Sequence, residues 1–174
     1  MPQDDAYSDR LLAEFLQRSY TAVDGLWFVK IEETQGFDAA LELDRQVWEI
    51  MAKIQARKAR ELLDITGDSP AELARCFGLK LRADGHEYDL SVDAETVRMS
   101  VRHCGWLEAM ERSGRGELAA HIGATVCTAE GQMWAREFGG RYVFSLPRRR
   151  CDGDDACEFV FTRAEEEAHD DTAE

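Results

Sequence analysis

The chain has 174 residues, 44% of them hydrophobic, and sets 35 acidic side chains against 21 basic ones for a formal net charge of −14. That length and apolar content can fill one domain core, while the charge repels nucleic-acid phosphate and anionic lipid, so neither nucleic acid nor membrane is expected as a partner. No apolar run approaches the ~20 residues that span a bilayer, and Met1-Pro2-Gln3-Asp4-Asp5 lacks the basic and apolar regions of a secretory signal, so a soluble cytoplasmic protein is expected.

Asp9 to Val23 places Leu11, Leu12, Phe15 and Leu16 at helical spacing, and Asp24-Gly25 reads as the end of that helix. Beyond Leu26 to Ile31, Gly36 leads into a periodic stretch from about Asp38 to Ile65. There Leu43, Val47, Ile50, Met51, Ile54 and Leu62 share one stripe, and the opposite face, with Glu42, Arg45, Glu49, Lys53, Arg57 and Arg60, reads as solvent-exposed. Ser69-Pro70-Ala71-Glu72 is a helix start, with Ser69 as N-cap, Pro70 in the first turn and Glu72 closing a capping box; the helix is predicted to end near Gly78.

Alternation with period two then predicts strands over Tyr88 to Val92 and Thr96 to Arg102. A short helix from Cys104 stops by Ser113 to Gly116, and a longer one over Glu117 to Phe138 is broken by Gly139-Gly140. Tyr142 to Leu146 and Glu158 to Phe161 predict a terminal hairpin, and Ala164 to Glu174 reads as an acidic tail with little to bury. These elements predict an α+β domain: N-terminal helices (1–79), then a small antiparallel sheet of about four strands packed with two helices (80–163), then the tail (164–174).

Five cysteines, Cys76, Cys104, Cys127, Cys151 and Cys157, carry the chemistry. In a reducing compartment they are thiols or metal ligands before they are a disulfide framework. Cys151 and Cys157 flank an Asp/Gly turn, and residues facing across a β-ladder have Cβ atoms about 4.5–5.5 Å apart, close enough for two thiolates to share one tetrahedral ion. The alternatives are unlinked core thiols, a Cys151–Cys157 disulfide, or ligation of an iron–sulfur cluster; Cys76 reads as an ordinary core thiol. No phosphate loop, serine-nucleophile motif or His-Glu zinc-protease motif occurs. Glu32, Glu33, Asp38 and Asp44 could supply carboxylates, yet read as solvated helix-face residues.

The run from Cys127 through Cys151 to Cys157-Glu158-Phe159, with a helix, a strand and an acidic Gly-Asp turn between the cysteines, resembles the C-terminal end of the 4-vinyl reductase domain. The front segment Asp24 to Glu32, with Gly36, Ala39, Ala40, Leu43, Asp44 and Trp48, resembles uncharacterised anaerobe cytosolic proteins related to L-2-amino-thiazoline-4-carboxylic acid hydrolases. The first resemblance implies a zinc site with Cys127, Cys151 and Cys157 as ligands. The family's Glu three residues before the second cysteine is replaced here by Arg148, so Cys104, with His103 as the alternative, stands as the fourth ligand. Arg148, Arg149 or Arg150 would neutralise the thiolates.

Along the 117–138 helix, Leu118, Ile122, Val126, Ala129 and Met133 form a core stripe, while Ala120, Ala124, Cys127, Gly131 and Trp134 form a second face of small residues beside an aromatic. That face reads as close packing or as a small apolar cavity next to Cys127, with Trp27, Phe28 and Trp48 as a further wall. The leading expectation is therefore a zinc-stabilised small-molecule-binding or sensory domain for an apolar or aromatic molecule. The alternatives are a hydrolase of a small cyclic or amide substrate, using an open metal position or Cys104 as nucleophile, and an iron–sulfur redox protein. A homodimer is compatible with all three.

Overall fold

A computed structural model describes residues 7–164, and the expected acidic tail lies almost entirely outside them. The elements run α1 (Asp9–Gln35), α2 (Phe37–Leu62), α3 (Pro70–Ala83), β1 (Glu87–Val92), β2 (Thr96–His103), α4 (Gly105–Arg112), α5 (Ala119–Glu137), β3 (Tyr142–Ser145) and β4 (Cys157–Arg163), with 3-10 turns at Gly116–Leu118 and Arg150–Asp152. The four strands form one antiparallel sheet in the order β1-β2-β4-β3. The α+β class and the leading helices are as the sequence pattern predicts.

α3 and α5 pack on the sheet, α2 packs on α5, and α1 packs on α2. The main core holds Phe77, Leu73 and Leu81 of α3, Trp134 and Phe138 of the α5 end, and Val97, Met99, Phe159 and Phe161 of the sheet. The Phe77 ring meets Trp134, Phe159 and Phe161 at centroid distances of 5.2, 5.5 and 5.0 Å, tilted and edge-on geometries that aromatic quadrupoles favour. A second, smaller cluster of Phe28, Leu41, Met110 and Ile122 joins the α1–α2 elbow to α4 and the start of α5.

Three local expectations are corrected. Asp24-Gly25 does not end α1, which continues to Gln35. A helical glycine costs only about 1 kcal/mol, and packing on α2, through the Tyr20–Trp48 and Phe28–Phe37 pairs, carries the helix across it. The true break is Gly36, whose φ of 89° is open to glycine and strained for other residues, and it makes the one-residue elbow. α3 passes Gly78 and ends at Ala83, with the predicted Ser69–Glu72 capping box in place. The apolar stripe of α2 faces outward: Ala52, Ala56 and Ala59 are buried, while Leu43, Val47, Ile50 and Ile54 are exposed, as are Glu42, Lys53 and Arg57 of the expected solvent face. Alanines at that spacing let α5 approach closely, which turns the large side chains outward.

Candidate functional site

Four of the five thiols share one neighbourhood, near enough to act on one another's ionisation. Cys104 is the N-cap of α4, Cys127 lies in the middle of α5, Cys151 lies in the 3-10 turn before β4, and Cys157 opens β4. Cys151 and Cys157 do not face each other across a ladder; Cys157 pairs with Val101 of β2, and Cys151 stands outside the sheet. The reversal between β3 and β4 spans residues 146–156, and its 3-10 turn carries Cys151 back against α5. There a Cβ added at Gly123 would meet the Cys151 Sγ at 2.9 Å, one helical turn before Cys127. Cys151 packs on the edge of the smaller apolar cluster and Cys157 on the main core. Cys76 is fully buried in the main core.

The thiols sense one another electrically. Burial pushes Cys127 well above the usual thiol range, with Glu130, Cys104 and Cys157 adding to the shift and Lys80 opposing it. Burial also raises Cys157 to about 11, with further contributions from Cys104 and Cys151. Cys151 and Cys104 are raised in the same way, burial first. All four are therefore protonated thiols at neutral pH unless a cation replaces the protons. Two already accept backbone N–H donors: Leu107 N–H donates to the Cys104 sulfur at 3.5 Å, and Arg150 N–H to the Cys157 sulfur at 3.3 Å. Among the described residues, no three His, Cys, Asp or Glu side chains are already gathered around one point as a ligand set.

The predicted neighbours divide. The Arg150 guanidinium lowers the ionisation cost of Cys104 and Cys157, donates to the Arg102 and Asp155 carbonyls, and keeps its Nε buried without a partner. Arg149 acts on Cys151. Arg148 turns to Asp154 and Glu158 instead, at 3.5 and 3.7 Å. The His103 Nε2 lies 2.7 Å from a Glu108 carboxylate oxygen.

The expected small-molecule cavity is largely filled. A Cβ at Gly131 would lie 2.3 Å from the Phe144 ring, so glycine is there to admit that ring. Trp134 is fully buried between Phe77 and Phe138, while Ala120 and Ala124 are half-buried. The proposed aromatic wall does not assemble beside Cys127, because Trp27 is exposed, Phe28 belongs to the elbow cluster and Trp48 stacks edge-on with Tyr20. At Gly131 and Trp134 the face of small residues is close packing, against Phe144 of β3 and against Phe77 and Phe138.

Sequence reading missed the buried charges next to Cys127. Lys80 of α3 and Glu130 of α5 are both buried and 2.8 Å apart, with Asp84 2.9 Å from the same ammonium. Burial pulls the Lys80 ammonium down, but Asp84 and Glu130 outweigh it and hold the group charged. Alongside stand Asp24 of α1 and Asp44 of α2, whose carboxyls act on each other and are both held down in part by the Trp48 side chain. Burial raises Asp24 to about 6 and Asp44 to about 7, the latter with added repulsion from Asp24. Of the other carboxylates singled out, Glu32 pairs with Arg115 at 2.6 Å and Glu33 with Lys30 at 2.7 Å, while Asp38 is exposed. A lone Glu130 between Ala129 and Gly131 on an otherwise apolar helix was the available signal, since an acidic residue there needs a buried cation.

Residues 8–161 match a family described as "Family of unknown function (DUF6125)". No curated protein matches the sequence.

Proposed function

The chain belongs to that family, and for it we propose a cytoplasmic interaction module whose fold is closed by a thiolate-bound zinc ion, with Cys104, Cys127, Cys151 and Cys157 as the ligands. The observation that carries this reading is that thiols from four different elements, α4, α5, the 3-10 turn and β4, lie near enough to shift one another's ionisation, with Cys151 packed against the turn of α5 that precedes Cys127. Unlinked core thiols have no need to gather, whereas a soft divalent ion selects such a set. The N–H donors from Leu107 and Arg150 and the unpartnered Arg150 Nε are the groups that would stabilise sulfur once it carries negative charge. Zinc would supply a structural cross-link here, and the residues would fix its position.

The packing of Phe144 onto Gly131 takes away the cavity that a sensor of small apolar molecules needs, which is why interaction module is preferred to sensor. A hydrolase with Cys104 as nucleophile is disfavoured because burial holds that thiol protonated.

The test is metal analysis of anaerobically purified protein with a zinc titration against a chromophoric chelator. The expected result is one zinc per chain, bound with release of thiol protons, and lost on substituting Cys104, Cys127, Cys151 or Cys157 by Ser but retained in Cys76→Ser. A brown chromophore would transfer the same thiols to an iron–sulfur cluster. Protein that binds no metal while all four thiols react freely would overturn the proposal.

A further inference from the structure

The α1–α2 hairpin carries an apolar face that its own chain leaves uncovered. Of the seventeen large apolar side chains exposed among the described residues, twelve lie on these two helices. Leu12, Leu16, Val23 and Trp27 of α1 are 48, 65, 49 and 66% exposed, and Val47 and Ile50 of α2 are 56 and 63% exposed. On α2 the exposed stripe lies about half a turn round from Ala52, Ala56 and Ala59, the face packed on α5. On α1 the exposed stripe adjoins, at helical spacing, the position of Tyr20, whose ring meets Trp48 of α2. Their spacing, with steps of three and four residues, is that of a helix–helix seam.

We infer that this face is the contact between two copies of the chain, which pack their α1–α2 hairpins into a four-helix bundle about a two-fold axis. Two observations favour a second copy over other occupants. The first is area. The eight large side chains on the two stripes, Leu12, Leu16, Val23, Trp27, Leu43, Val47, Ile50 and Ile54, offer on the order of 800 Å² at their exposures, above the 300–600 Å² that a monomer's largest patch reaches and comparable to the roughly 800 Å² per partner of a standard interface. The second is charge. Two chains of −14 repel each other unless the surfaces that meet are locally balanced. Residues 9–62 carry ten acidic and eight basic side chains, a net of −2, so the hairpin is the part of the molecule fit to meet its own copy. Its rim charges are moreover neutralised within each helix, by Arg18–Glu14, Lys30–Glu33, Arg45 with Glu42 and Glu49, and Lys58–Glu61. An isologous contact presents each residue twice, so every substitution on it counts double. The inference is independent of the thiol site.

The test is sedimentation velocity of the full chain across a dilution series. The expected result is a dimer that Ile50→Glu, and separately Leu16→Glu, weakens by at least about 100-fold, since each buries two unpaired carboxylates. The far-ultraviolet circular dichroism should stay unchanged, because both side chains are exposed in the single chain. If either variant loses its fold, Val47→Ser supplies a milder change that should still raise the dissociation constant about tenfold. Val143→Glu, 62% exposed on β3, should leave the dimer intact. A wild-type chain that stays monomeric at about 100 µM, a concentration at which a contact of this size associates, overturns the inference, as does a dimer indifferent to the hairpin variants. A monomer that floats with phosphatidylcholine vesicles would likewise overturn it and assign the face to lipid.

Discussion

The body formed by α3, α5 and the sheet and the hairpin formed by α1 and α2 use the same kind of sequence pattern in opposite ways. In the body, the large apolar residues Phe77, Trp134, Phe138 and Phe161 point inward and are fully buried. In the hairpin, the alanines point inward and the leucines, isoleucines and Trp27 point outward, while Asp24, Asp44 and the Tyr20 hydroxyl occupy the interior side. A stripe of large apolar residues therefore marks a surface that must be covered, without saying by what. In the body the cover is the same chain; on the hairpin the described residues leave the stripe exposed.

The largest difference between the two regions should appear on truncation. Trp134→Ala should cost about 4 kcal/mol in denaturant unfolding, the value for a buried aromatic that leaves a cavity. Ile50→Ala, measured at a dilution where the chain is single, should stay within about 0.5 kcal/mol. Equal losses at both positions would erase the contrast.

Lys80→Met should cost about 3 kcal/mol, because it leaves Glu130 and Asp84 facing each other in the interior. The double change Lys80→Met with Glu130→Leu should recover most of that loss, since an apolar pair of similar volume replaces a buried ion pair at little net cost. A double variant as unstable as the single would show that Asp84 or Tyr20 depends on the ammonium by itself.

The interior acids of the hairpin make stability depend on pH. Folding raises Asp24 from 3.8 to about 6 and Asp44 from 3.8 to about 7. A carboxyl whose folded pKa is raised contributes stability fully present below its unfolded value and lost as pH climbs through the folded value. Melting temperature should therefore fall as pH rises from about 4 to about 7. Asp44→Asn should flatten that slope and stabilise the protein at pH 7 by about 2 kcal/mol, taking each pK unit as 1.36 kcal/mol and discounting for partial exposure. A melting temperature that rises over this interval would contradict the assigned burial.

The smallest effect concerns a contact that the local sequence specifies alone. Ser69→Ala removes the acceptor for the Glu72 N–H at the start of α3 and should cost about 1 kcal/mol. The loss should be the same with or without zinc and in the dilute or concentrated chain, because the cap touches neither the thiols nor the hairpin face.

What the sequence determined by itself is what lies within one or two turns of chain: the α3 cap, the helix break after Phe138, the alternation of β1, β2, β3 and β4, and the α+β class. The close approach at Gly131 was visible as one position on a face of small residues along α5, although its partner Phe144 was not, because that contact depends on how α5 lies on the sheet. Tertiary structure decided the rest. It carried α1 through Gly25, since packing on α2 outweighs the cost of one glycine, and it turned the α2 stripe outward, since three alanines pack closer to α5 than three leucines could. It also drew Cys104 toward Cys127, Cys151 and Cys157 and set Lys80 beside Glu130, 50 residues away in sequence. Periodicity reports which residues share a face; only the three-dimensional packing decides what that face meets.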